Sequence, residues 1–257
     1  MNKLDQQIIT EGIHHSIDEV FVFDTIDSTN TEAKKVFQAG NNINALFISN
    51  EQTAGRGRQG KSFYSPADTG LYMTLLLQEQ TINQTNIVDL PTIKMAVSVS
   101  KAFNKLTGKN IQVKWVNDIF YKGYKVGGIL TEKVYSPAHN ISALVIGIGI
   151  NISTTIFPNE LKNIAGAINE QISRNHFAIE ITNAVMATDT NLGEIIEEYK
   201  QISLVLGKTI TFMYNNECVT GVATDINDKG HLIVRLPNNS YLTLNSGEIS
   251  LTSKQFI

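Results

Sequence analysis

EQTAGRGRQGKSFYS, residues 51–65, decides how this chain is read. It lies between two apolar runs of strand length, ALFIS (45–49) and LYMTLLL (71–77). Arg56, Arg58 and Lys61 are interleaved there with Gly55, Gly57 and Gly60. Glycines let the backbone wrap a ligand closely, and guanidinium forks with backbone N–H groups suit carboxylate and phosphate oxygens. Arginine keeps its charge and bonds bidentately where lysine does not. The segment is read as a mobile anion-binding loop that orders around its ligand. The alternative is a solvated surface loop with three positive charges. It is not read as a Walker P-loop, despite Lys61-Ser62.

The rest of the chain makes this charge local. Over 257 residues, 21 Lys+Arg stand against 24 Asp+Glu, a net charge of -3 that exerts no overall pull on nucleic acid or anionic membrane. At 42% hydrophobic and 18% charged residues the composition is that of a soluble globular protein with a sizeable core. The single cysteine, Cys218, excludes an internal disulfide framework and fits a reducing cytosol. The first 20 residues lack a signal-peptide core, and no run approaches the roughly 20 apolar residues of a membrane span. The five histidines have no metal-ligand spacing, so no structural metal is expected.

Working outward, EVFVFDTI (19–26) reads as a strand and STNTEAKKVFQAG as a helix, with Thr29 and Glu32 at capping-box spacing and Gly40 at its end. Asp89 and Pro91 start a helix running to about Leu106. IQVKWVNDIFY and YKVGGILTEKVY read as two strands joined at Lys122-Gly123. ALVIGIGINI (143–152) reads as a buried strand broken by two glycines, and residues 178–200 as one long helical pattern. After LGK (206–208), TITFMY, ECVTGVATDI, HLIVRL and SYLTL are short strands separated by Asn- and Gly-containing turns, a small all-β module whose charges cancel. The expected fold is α+β: a mixed sheet with helices mainly on one face over residues 1–203, then a small barrel over 204–257.

Three further segments can carry chemistry. In KWVNDIFYKGYKVGGIL (114–130), the hairpin brings Lys125 near Trp115, Asn117 and Asp118. A lysine beside a carboxylate can hold an anion during attack, and the carboxylate can orient an incoming amine. Core packing for Trp115, a solvated Lys125 and a turn role for Asp118 are the alternatives. In DSTN (27–30), Ser28, Thr29 and Asn30 at a helix start either read a polar ring or cap the helix. In GIGIN (147–151), Asn151 either reads a base or fills a loop.

Taken together and in this order, DSTN, EQTAGRGRQGKSFYSP, KWVNDIFYKGYKVGGIL and GIGIN resemble the biotin–protein ligase family, over about residues 20–252. The resemblance implies a class II synthetase-like catalytic domain followed by an SH3-like domain. It implies a two-step acyl transfer: biotin and ATP, with Mg2+, give biotinyl-5'-AMP and pyrophosphate, and biotin passes to one lysine of a biotin carboxyl carrier domain. It places biotin against Ser28, Thr29, Asn30, Gln52, Arg56, Gly57, Arg58 and Lys125. It places the nucleotide near Arg56, Phe63, Trp115 and Asn151, and gives Arg58, Lys125 and Asp118 catalytic roles.

The family's motif often has proline where Val116 stands, a change expected to affect strand rigidity more than chemistry. About 18 residues precede the first strand, too few for the winged helix-turn-helix of bifunctional members. A cytoplasmic, monofunctional ligase without DNA or membrane binding is therefore expected, while the resemblance leaves its oligomeric state open between monomer and homodimer. A lipoate–protein ligase is the nearest rival; Ser28, Thr29, Asn30 and Gln52 favour a polar ureido ring over an aliphatic dithiolane. A nucleic-acid module using GRGRQGK is disfavoured by the acidic total.

Overall fold

A computed structural model describes residues 3–85, 87, 90–187 and 191–251. The elements in chain order are α1 (Gln6–Gly12), β1 (Glu19–Ile26), α2 (Thr29–Gln38), β2 (Ala45–Gln52), β3 (Gly70–Gln78), α3 (Glu79–Gln84) and α4 (Pro91–Thr107). They continue with β4 (Gln112–Lys114), β5 (Asp118–Tyr121), β6 (Tyr124–Ser136), β7 (Ile141–Asn151), α5 (Arg174–Met186) and α6 (Leu192–Gln201). Five short strands follow: β8 (Thr209–Tyr214), β9 (Glu217–Ile226), β10 (Leu232–Arg235), β11 (Tyr241–Leu244) and β12 (Ile249–Leu251).

The large sheet has the order β1-β2-β3-β7-β6-β5-β4; β1 and β2 are parallel and every other pair is antiparallel. Side chains alternate across a strand, so each central strand supplies two cores. Leu46 and Ile48, Leu71, Met73, Leu75 and Leu77, and Leu144, Ile146, Ile148 and Ile150 belong to the core that also takes up apolar residues of α1, α4, α5 and α6. Ala45, Phe47, Leu76, Ala143 and Val145 meet Ala33 and Phe37 of α2 on the other face. Helices thus crowd one face. The other carries α2 and, beside it, open space. The small sheet is antiparallel in the order β11-β10-β9-β8-β12. No helix among the described residues is long and apolar enough to cross a membrane.

Several expectations are corrected. Ser28, in an extended conformation, holds the N-cap position of α2 rather than Thr29, and its carbonyl accepts from Glu32 N–H at 3.0 Å. Thr29 is already helical and turns its polar atoms to Gln52 instead. Residues 111–121 are not one strand. The chain reverses at Trp115–Asn117, so that β4 and β5 pair with each other, Lys114 opposite Asp118. The Trp115–Val116 peptide is cis. β7 is continuous, because its neighbours β3 and β6 hold it on both sides through Gly147 and Gly149. The 178–200 pattern is two helices with separate caps: Ser173 accepts from His176 N–H and Asn191 from Gly193 N–H. α1, α3 and β12 were not anticipated, and Asp89 lies outside the described residues. The Lys122-Gly123 hairpin is as expected, both residues having positive φ (49° and 82°) in the tight turn that Gly favours.

Candidate functional site

A cavity of about 370 Å³ opens beside α2. Missing side chains make the space. Gly147 and Gly149 of β7 line it, and a Cβ on Gly147 would lie 2.0 Å from Asn30 Oδ1, one on Gly149 2.5 Å from the Phe63 ring. Only glycine lets Asn30 and Phe63 rest directly on the strand.

Over the β2–β3 side of the floor the groups are neutral, buried or half-buried, and bonded to one another. Thr29 donates to Gln52 Oε1 through its N–H (2.9 Å) and its hydroxyl (3.1 Å). Gln52 Nε2 donates to Ser65 Oγ at 2.9 Å, which lies 3.0 Å from Phe63 O. Thr74 Oγ1 is 2.8 Å from both Thr29 Oγ1 and Asn30 Oδ1. The start of α2 is in this way fastened to both legs of the Gly/Arg loop. Ser28 is buried behind this group and does not line the cavity; its Oγ has no hydrogen-bond partner among the described residues.

The loop has its own framework. Gly57 N–H donates to Lys61 O (2.7 Å) and Phe63 N–H to Gly55 O (2.8 Å), forming a narrow hairpin whose tip passes through Gln59 and Gly60 at positive φ. Gly55, Gly60, Lys61 and Ser62 do fall at P-loop spacing. The chain nevertheless is extended at Lys61 and Ser62 bridges back to Arg56, so no helix N-terminus follows to receive a phosphate.

Over the β5–β6 side the groups are charged. Lys125 Nζ lies 2.6 Å from Asp118 Oδ1 and Lys114 Nζ 3.4 Å from Oδ2, so Asp118 stands between two ammonium groups. Arg58 donates to Asn117 Oδ1 at 2.9 Å, and Asn117 to Ile129 O at 3.1 Å. Trp115, buried, donates its indole N–H to Gly230 O in the β9–β10 turn of the small sheet (3.0 Å), while Lys61 meets Glu248, just before β12, at 2.5 Å. Beneath this turn Tyr199 donates to Val116 O at 3.0 Å, and burial pushes its phenol well above the usual range. At the end of β7, Asn151 donates to Gly166 O at 3.2 Å while its buried Oδ1 has no partner among the described residues. Five cations (Arg56, Arg58, Lys61, Lys114 and Lys125) face two carboxylates (Asp118 and Glu248) around the cavity, a balance that favours an anionic ligand.

Thr29, Asn30, Gln52, Arg56, Gly57, Arg58, Phe63, Trp115, Asp118, Lys125 and Asn151 all line this one cavity. Residues 22–151 match the model of the biotin/lipoate A/B protein ligase family, and residues 205–252 that of the biotin protein ligase C-terminal domain. The chain belongs to the biotin/lipoate A/B protein ligase family.

Within this family it is 32% identical over 174 residues to a bifunctional ligase/repressor BirA of Bacillus subtilis, covering 65% of this chain and 52% of that protein. It is 34% identical over 133 residues to a biotin–[acetyl-CoA-carboxylase] ligase of Paracoccus denitrificans, 49% of this chain and 52% of that one. The chain spans about half the length of these curated relatives. In fold it is similar to a biotin protein ligase from Aquifex aeolicus in complex with biotin and ATP, with a TM-score of 0.74 at 23% identity over 91% of this chain and 99% of that one. The small sheet is the SH3-like domain of such ligase folds.

Sequence reasoning passed over several residues in and around the cavity. Thr74 was hidden in an apolar run, although a polar residue amid LYMTLLL is itself a signal. Phe157, Leu161, Ile164 and Ala165 wall the cavity from a segment without repeat or motif. Ile156 and Ile164, exposed on that segment, were the available hint. Lys34 and Glu132 were missed because only the fold brings them together.

Proposed function

We propose that this chain is an ATP-dependent biotin–protein ligase acting in the cytoplasm, where the lone exposed thiol of Cys218 is stable. The observation that carries this reading is the joining, in one cavity, of a neutral polar group around Gln52 to a cationic group around Asp118. The first suits a ureido ring, which both donates and accepts hydrogen bonds. The second suits a carboxylate brought up to a triphosphate.

In the first step a biotin carboxylate oxygen attacks the α-phosphorus of ATP. A P–O bond forms, the bond to the β-phosphate breaks, and pyrophosphate leaves with the electron pair. Arg58 and Lys125, with Arg56, offset the charge gathered there, and their hydrogen-bonded supports limit reorganisation. In the second step the neutral amine of an acceptor lysine on a carrier domain attacks the acyl carbon; the C–N bond forms, the acyl C–O bond to the phosphate breaks, AMP leaves with that electron pair, and the surplus N–H proton passes to solvent. Asp118 is ion-paired with two lysines, and its role is to orient the amine. Phe63 and Trp115 offer apolar walls to the adenine, and the open Asn151 Oδ1 an acceptor for an exocyclic N–H. The Gly/Arg hairpin excludes water from the adenylate.

No three acidic, His or Cys groups cluster as a metal cage among the described residues, and Asp118 is already engaged. A Mg2+ ion would be held chiefly by the nucleotide phosphates, whose charge it would offset.

The test is calorimetric titration of biotin, with lipoate as control, then ATP addition and mass spectrometry for biotinyl-5'-AMP. Biotin binding with adenylate formation is the expected result. Lipoate binding in its place, or neither, sinks the proposal.

A further inference from the structure

Below the cavity, on the face of β6 that carries Gly128 and Leu130, Glu132 collects three groups from two other elements. Lys34 Nζ of α2 lies 2.6 Å from its Oε1, Arg56 Nη2 of the Gly/Arg hairpin 3.5 Å from the same oxygen, and Asn30 Nδ2 donates to Oε2 at 3.4 Å. The carboxylate is three-quarters buried, so these contacts act in a medium that screens them weakly.

Lys34 is the close partner and neutralises the carboxylate. Arg56 is the distant one: its side chain is 43% exposed and most of its fork is left for a ligand. Asn30, in turn, is held at its other end by Thr74. Glu132 therefore fixes, from one point, the first cation of the hairpin and a polar group of the neutral side.

Resting on the ligase reading above, we propose that Glu132 is a positioning residue of the first half-reaction, holding Arg56 and Asn30 in the mutual register that the acid and the nucleotide require. Lys34 offsets its charge, which would otherwise repel an anionic ligand. Glu132 does not touch the reacting atoms; it acts through Arg56 and Asn30.

The experiment measures pyrophosphate release against biotin and ATP for the full chain. The Glu132→Gln variant, which keeps the shape but loses the charge, raises both KM values by about tenfold, the effect of one lost charge-assisted hydrogen bond, with kcat changed less than threefold. In an Arg56→Ala background the same substitution changes the KM for ATP by less than twofold, since the two residues act as a unit. A merely structural Glu132 gives additive losses in that cycle, and unchanged or lowered KM values mean that it does not hold the ligand-binding groups in place. Either result overturns the proposal. Should Glu132→Gln fail to fold, the paired variant Lys34→Met/Glu132→Leu leaves no unpaired buried charge. It must show the same tenfold rise, and wild-type KM values in it also overturn the proposal. If the wild-type chain makes no biotinyl-5'-AMP, the ligase reading fails first, which separates the two failures.

Discussion

The two sides of the cavity floor solve opposite problems. Over β2 and β3, Thr29, Asn30 and Thr74 are buried, Gln52 is half-buried, and all four are neutral and bonded to one another, so their geometry is set before a ligand arrives. Over β5 and β6, Arg58, Lys114 and Lys125 are charged and lean on Asn117 and Asp118, leaving donors to spare. A buried neutral network can discriminate shape and donor pattern, because a poor ligand strands its polar atoms. Spare charge close to solvent stabilises what develops during reaction. On the ligase reading proposed above, the first side sets which acid enters, and the second what happens to it.

Substitutions on each side test that division. Arg58→Ala should cost the most, lowering the rate of pyrophosphate release about 100- to 1,000-fold with biotin affinity far less affected. Comparable losses in both would merge the two sides. Gly147→Ala places a Cβ 2.0 Å from Asn30 Oδ1 and should weaken biotin binding by at least roughly tenfold in calorimetry, by displacing one member of the neutral network. Gln52→Leu strands Thr29 N–H and Ser65, with an expected loss of roughly tenfold in biotin affinity and little change for lipoate. Equal losses for both acids would remove discrimination from that side.

The smallest effect is expected at a charge cluster outside the cavity. Lys109, Tyr121 and Lys122 converge on Glu170, and the bonds from Lys109 and then Tyr121 hold its carboxyl down at about 2, from an ordinary 4.5. A depressed carboxylate stabilises the fold above its unfolded value, and that contribution is lost as pH falls from about 4.5 toward 2. Thermal melts should therefore show Glu170→Gln below wild type above pH 4.5 and the two converging near pH 2, with pyrophosphate release unchanged at neutral pH. A change in that release would show that this cluster reaches the cavity.

What could be read from the letters follows from how local each signal is. The Lys122-Gly123 turn, the Pro91 helix start and the β8–β11 turns each lie within a few residues, and all were legible. The reversal inside KWVND was not, since Val113, Trp115 and Ile119 continue a strand-like pattern straight through it. The break between α5 and α6 was missed because the spacing of Val185, Leu192 and Ile195 preserves one apolar face across two caps. At the site, glycines and arginines announced themselves by composition. Thr74 and Glu132 are ordinary letters whose meaning comes from residues about 45 and 100 positions away, contacts that the sheet order alone creates.

Trp115 is the only tryptophan in the chain, and it touches both the cavity wall and, through Gly230, the small sheet. The molecule thus carries a native optical reporter at the junction of its two sheets. Its emission should be quenched when an aromatic ring enters the cavity, and should move to longer wavelength when the small sheet separates. One spectrum can then follow ligand arrival and domain undocking as two distinct signals, without any attached dye.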